Sequence, residues 1–193
     1  MSGDLVTKDM IAKLMDGQLG DDDVQDLQRM RRKDRDRFQK YIELLQDRVP
    51  WKEQVLLKLT DHLYIVRSKE HGRTLRCDCG HDFGDYRINW KLNSRIRVRR
   101  TSPEFEEVYT PAYTAPEPGW MTIREYYCPG CAAQLAVEAV PPGYPPVFDM
   151  LPDLDSFYRY WLDAPLDDES PEWYEDRTNQ LTASWSKGAQ NAK

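Results

Sequence analysis

The sequence predicts an α+β fold: a small antiparallel β domain, preceded by a helical arm and followed by an extended segment plus a helix. Three observations carry this. Apolar residues recur at helical spacing before residue 50 and again after 153. The stretch between alternates, or forms short runs rich in β-branched and aromatic residues. Five prolines in 141–152 separate that stretch from the last helix. The boundaries that follow are 1–50 for the arm, 51–140 for the β domain, 141–163 for a proline- and aromatic-rich docking segment with its helix, and 164–193 for an acidic tail expected to be mobile.

In the arm, Thr7 is placed to cap a helix carrying Met10, Ile11, Leu14 and Met15, with Gly17 as its stop. Asp21, Asp22 and Asp23 put acids at the next helix start, ahead of Val24 and Leu27. Asp34 or Asp36 opens a third helix with Phe38, Tyr41, Ile42 and Leu45 on one stripe, and Pro50 marks its end. Beyond it, 55–59 and 63–66 read as a hairpin across Thr60, Asp61 and His62, and 73–77 as a strand leading into Cys77. Residues 94–99 alternate, which predicts Ile96 and Val98 inward and Arg95, Arg97 and Arg99 on the other face. Strands at 121–127 and 134–140 flank a second cysteine pair. Asp153 or Asp155 caps the last helix, with Leu154, Phe157, Tyr158 and Trp161 as its stripe.

Composition narrows the class. Of 193 residues, 40% are hydrophobic, so the chain supports a lean core. No apolar run approaches the roughly 20 residues of a membrane span, and MSGDLVTKDM lacks the pattern of a secretory signal, which makes the cytoplasm the expected location. The net charge of −6 is unevenly spread: +2 over residues 1–76, +3 over 77–100 and −11 over 101–193. That balance disfavours nucleic acid as a general partner while leaving a local basic strand.

The four cysteines form two pairs, Cys77-Asp78-Cys79 and Cys128-Pro129-Gly130-Cys131. In a reducing compartment such pairs point to metal rather than to disulfides. C-P-G-C has knuckle spacing, and two knuckles on adjacent hairpins supply four tetrahedral sulfurs, the arrangement of a zinc ribbon. The β domain is therefore expected to be zinc-ribbon-like. C-x-C is tighter than usual, so a site of three thiolates with His81 is the alternative. Redox chemistry at Cys128 and Cys131 is the functional rival, but the βαβ context it needs is missing. Four thiolates leave no open position for a catalytic water, so the expected metal is structural.

No phosphate-binding glycine loop, nucleophile elbow or metalloprotease helix is present, and His62, His71 and His81 form no catalytic cluster in sequence. Catalytic residues are accordingly expected to be none. Two stretches suit docking instead: Trp90 with Arg95, Arg97 and Arg99, and the aromatic end with Tyr144, Phe148, Phe157 and Trp161. A free ribbon binding nucleic acid through its arginines is the competing reading.

The run Cys77-Asp78-Cys79-Gly80-His81-Asp82-Phe83 with Asn89-Trp90-Lys91-Leu92 resembles the acetone carboxylase gamma subunit family. So do Arg124-Glu125-Tyr126-Tyr127-Cys128-Pro129-Gly130-Cys131 and Pro152-Asp153-Leu154-Asp155-Ser156-Phe157-Tyr158. The likeness covers about residues 8–163 in order, and the small subunit of the related acetophenone carboxylase is similar too. The resemblance implies a zinc-containing accessory chain of an ATP-dependent ketone carboxylase, assembled as α2β2γ2 with two larger hydantoinase-like chains. It implies ATP and manganese on those partners only, and conversion of acetone and bicarbonate to acetoacetate by the assembly.

Overall fold

The computed structural model describes residues 6–31 and 34–183. The arm forms as its pattern predicts. The Thr7 hydroxyl accepts from the Met10 N–H at 3.2 Å and caps α1 (Lys8–Met15). Gly17, at φ +66°, turns the chain where a side chain would be strained. Helix α2 (Asp21–Arg29) opens on its three aspartates, and α3 (Arg37–Arg48) buries Ile42 and Leu45. Val6, Ile11 and Leu27 form the small core between the helices, with Tyr41 and Leu44 of α3 packed against it.

Two antiparallel sheets follow among the described residues. The first has the order β1-β2-β3-β4, from β1 (Gln54–Lys58), β2 (Leu63–Ser68), β3 (Gly72–Cys77) and β4 (Asp82–Asp85). The second has the order β5-β6-β7, from β5 (Arg95–Arg99), β6 (Thr122–Tyr127) and β7 (Gln134–Val140). β2 is buried on both faces, which explains its unbroken apolar run. Tyr64 and Val66 face α3, joining Val55, Ile42 and Leu45. Leu63 and Ile65 face the other way, into a core shared with Leu75, Tyr126, Leu135, Leu154 and Tyr158. The irregularity between Val55 and Leu57 puts Leu56 and Leu57 both against this second core, while Val55 enters the first cluster. The arm is thus the outer layer of this chain's own sheet.

The extended segment after β7 needs outside donors, because prolines contribute carbonyls but no N–H. Arg124 donates to the carbonyls of Tyr144 at 2.9 Å and Pro145 at 3.4 Å. Asn89 donates to that of Pro146 at 3.2 Å, and Lys91 to that of Val147 at 3.1 Å. Asp153 then caps the short α4 (Leu154–Ser156), which widens into a π-helical turn over Phe157–Trp161. Leu154 and Tyr158 are buried, but the wide turn carries Trp161 off the stripe, and it is 81% exposed.

Three sequence expectations are corrected. Ile96 and Val98 do not enter the core: Ile96 is 41% exposed on an edge strand, while Arg99 on the other face is buried against Glu125 at 2.8 Å. Alternation identified two faces, but the ion pair and not apolarity decided which is covered. Trp90 is no surface residue, since it sits edge-on between Phe83 and Tyr126, at 6.4 and 5.9 Å between ring centres. Beyond Asp163 the chain is packed rather than loose as far as 183. Leu166 is buried, Trp173 lies over Arg73 and Arg87, and the Asn89 N–H donates to the Thr178 hydroxyl at 3.0 Å. Residues 184–193 of that tail lie outside the described residues.

Candidate metal centre

Cys77 ends β3 and Cys128 immediately follows β6, so each cysteine pair is the turn of one hairpin, β3–β4 or β6–β7. The shared core brings the two turns together. All four Sγ atoms lie within 4.8 Å of one another. Across the two knuckles, Cys77 meets Cys131 at 3.8 Å and Cys79 meets Cys128 at 3.8 Å. A disulfide would need about 2.05 Å. Tetrahedral zinc with Zn–S of about 2.3 Å requires sulfurs about 3.8 Å apart. The sulfurs have the spacing of a four-thiolate metal site and no disulfide.

The backbone is arranged for charge on every sulfur. The N–H two residues downstream points at each: Cys79 to Cys77, His81 to Cys79, Gly130 to Cys128 at 3.4 Å, and Ala133 to Cys131. Burial pushes the Cys77 and Cys79 thiols up, whereas the Ala133 N–H draws Cys131 down. A cation bound by Cys77, Cys79, Cys128 and Cys131 would favour the thiolate form at all four.

Gly130 is required by space rather than by backbone sign. A Cβ there would lie 3.0 Å from His81 Cβ and 3.4 Å from Cys79 Sγ. Ala132, at φ +61°, closes the second knuckle, and its N–H donates to the Cys128 carbonyl at 2.9 Å. The Trp51 indole donates to the Cys77 carbonyl at 3.1 Å, tying the first knuckle to the arm's end. Asp78, between two of the cysteines, pairs with His62 at 2.6 Å. His62 and Cys77 hold the Asp78 carboxyl below its ordinary range against the opposing effect of burial. His81 stands beside the cluster without joining it, its ring edge-on to Phe83 with centres 5.0 Å apart.

The family comparisons agree with this geometry. The acetone carboxylase gamma subunit family matches residues 49–162, a span that contains both knuckles. The acetone carboxylase gamma subunit of Xanthobacter autotrophicus is 43% identical over 161 residues, covering 83% of this chain and 95% of that protein.

This chain belongs to the acetone carboxylase gamma subunit family.

The acetophenone carboxylase beta subunit of Aromatoleum aromaticum is a more distant relative, 33% identical over 101 residues, or 52% of this chain and 77% of that one.

The other sequence-selected residues scatter. Trp90 and Arg99 are buried, and Phe157 packs edge-on against Phe38 of the arm at 4.9 Å. Arg97 reaches Glu107 at 2.7 Å, leaving Arg95 of the expected arginine face without a carboxylate partner among the described residues. Tyr144 is half exposed, Phe148 half-buried and Trp161 exposed. The buried cations Arg73, Lys91 and Arg124 escaped the sequence reading. Their signal was present but unread: Lys91 and Arg124 fall inside the motifs that carry the resemblance. No helix among the described residues is long and apolar enough to cross a membrane.

Proposed function

We propose that this chain is the zinc-binding accessory subunit of an ATP-dependent acetone carboxylase that converts acetone and bicarbonate to acetoacetate. The observation that carries this is the match to nearly the whole length of an acetone carboxylase gamma subunit, with a complete four-sulfur cluster inside the matched region. Zinc suits the set, because four thiolates at tetrahedral spacing are its usual structural coordination. Cys77, Cys79, Cys128 and Cys131 would hold it, and it would cross-link the two hairpins. With every position filled by sulfur, the site offers no place for substrate. ATP and manganese belong on the two larger chains of an α2β2γ2 assembly.

The nucleic-acid reading loses its basis in the arginine strand. Glu107 and Glu125 pair with Arg97 and Arg99, so two of the four arginines at 95–100 already have counter-charges and fewer are left to meet a phosphate backbone.

Co-expression with two large carboxylase chains, followed by purification through a tag on this chain, tests the proposal. All three should co-purify, with about one zinc per copy of this chain and ATP-dependent carboxylation of acetone. Purified alone, this chain should neither hydrolyse ATP nor fix bicarbonate. Full activity from the large chains without it, or salt-sensitive binding of DNA or RNA by it, would overturn the reading.

A further inference from the structure

A cleft of about 870 Å³ lies on one face of the second sheet. Its floor is the row Ile96, Val98 and Arg100, alternate positions running off the edge strand β5, beside Arg124 of β6. Tyr144 belongs to the proline segment that forms one wall, and Met121 lies at the other side. We propose that this cleft is where a larger carboxylase chain docks, through an extended segment with apolar side chains and at least one carboxylate. The inference deepens the accessory-subunit reading and rests on it.

Shape and polarity argue for an extended chain. The row from Ile96 to Arg100 spans about 13 Å at strand rise, and among the described residues β5 pairs only with β6, so a strand-like segment fits along it. Ile96 of β5 and Tyr144 of the proline segment, 41% and 50% exposed, both present apolar surface to the cleft. The wall is already built. Arg124 uses its guanidinium to hold the proline segment's carbonyls, and Glu138 balances its charge at 3.2 Å.

Charge specifies the occupant. No carboxylate lines the cleft, and the Arg100 guanidinium, unlike its backbone N–H, which donates to Glu104 at 2.8 Å, has no carboxylate partner among the described residues. The neighbouring cations Arg97, Arg99 and Arg124 each have one. A single unpaired guanidinium at the end of an apolar row is therefore complementary to an apolar segment that ends in an acid.

The test measures association of the full-length chain with the purified pair of large chains. Ile96→Glu and Arg100→Glu should each weaken binding by about tenfold or more, while Arg100→Lys should bind nearly as the parent does. Each variant, purified alone, should keep its metal content and melting temperature, which separates lost docking from lost fold. A photoreactive benzoylphenylalanine at position 96 should cross-link to a large chain beside an acidic residue. Unchanged affinity in both glutamate variants would overturn the docking cleft and leave the accessory-subunit reading standing. So would a cross-link to a second copy of this chain. If the parent chain fails to bind the large chains at all, the accessory-subunit reading falls first and the cleft's assignment with it.

Discussion

Arg73 of β3 and Asp168, 95 residues later, face each other through two hydrogen bonds of 3.0 Å. Asp155 shares the same guanidinium, and Arg73 has no exposed surface at all. This cluster binds the chain after Asp163 to the first sheet. Truncating Arg73 leaves Asp155 and Asp168 without their shared cation, so Arg73→Met should cost about 3 kcal/mol or more of unfolding free energy. Asp168→Asn, at a partly exposed site, should cost distinctly less. Urea denaturation of the three proteins measures both.

Acid should loosen the same tie. Burial opposes it, but hydrogen bonds and charge from Arg73 hold the Asp168 carboxyl below its ordinary 3.8, and Lys91 with Tyr126 holds Glu138 below 4.5. Both groups are depressed in the folded state. Their stabilisation is complete above those ordinary values and is lost as pH falls through the lowered ones. Melting temperature should therefore drop below about pH 4, and Asp168→Asn should flatten that fall. An equally steep fall in Asp168→Asn would remove Asp168 from the account.

Metal removal should act on the whole fold, because Cys77 and Cys128 belong to the core that both sheets share. Cys128→Ser should lose the metal and lower the melting temperature by roughly 10 °C or more. His81→Ala should keep its metal, since the imidazole packs on Phe83 and stands outside the sulfur cluster. Metal analysis alongside calorimetry decides between four sulfurs and three with an imidazole.

Two positions flanking Cys131 in the second knuckle should respond in opposite directions. Gly130→Ala forces a methyl against His81 and Cys79, and should destabilise by about 1–3 kcal/mol and weaken metal retention against a chelator. Ala132→Gly relieves a left-handed backbone and should be neutral or stabilising by up to about 1 kcal/mol.

Much of the fold was legible because it follows from local spacing. The Thr7 cap, the stripe of α3, the strands on either side of Cys128 and the Asp153 cap all lie where periodicity and capping chemistry put them. The metal cluster was legible for a different reason: two closely spaced thiol pairs on neighbouring hairpin turns supply the four ligands of a tetrahedral site. Burial of Trp90 was not legible, because its two ring partners come from a preceding strand and from one 36 residues further on.

The sequence alone determined the elements, the two cysteine turns and the family resemblance, since each depends on residues close together in the chain. Tertiary structure decided which charges are buried. Nothing in the sequence around Arg73, Lys91 and Arg99 marks them for burial; distant Asp155, Glu138 and Glu125 pair with them there. It also decided that Ile96 and Val98 line an open cleft and that residues 164–183 pack against the domain. For these three cations the counter-charge that makes burial tolerable comes from residues at least 26 positions away, beyond any window of local sequence.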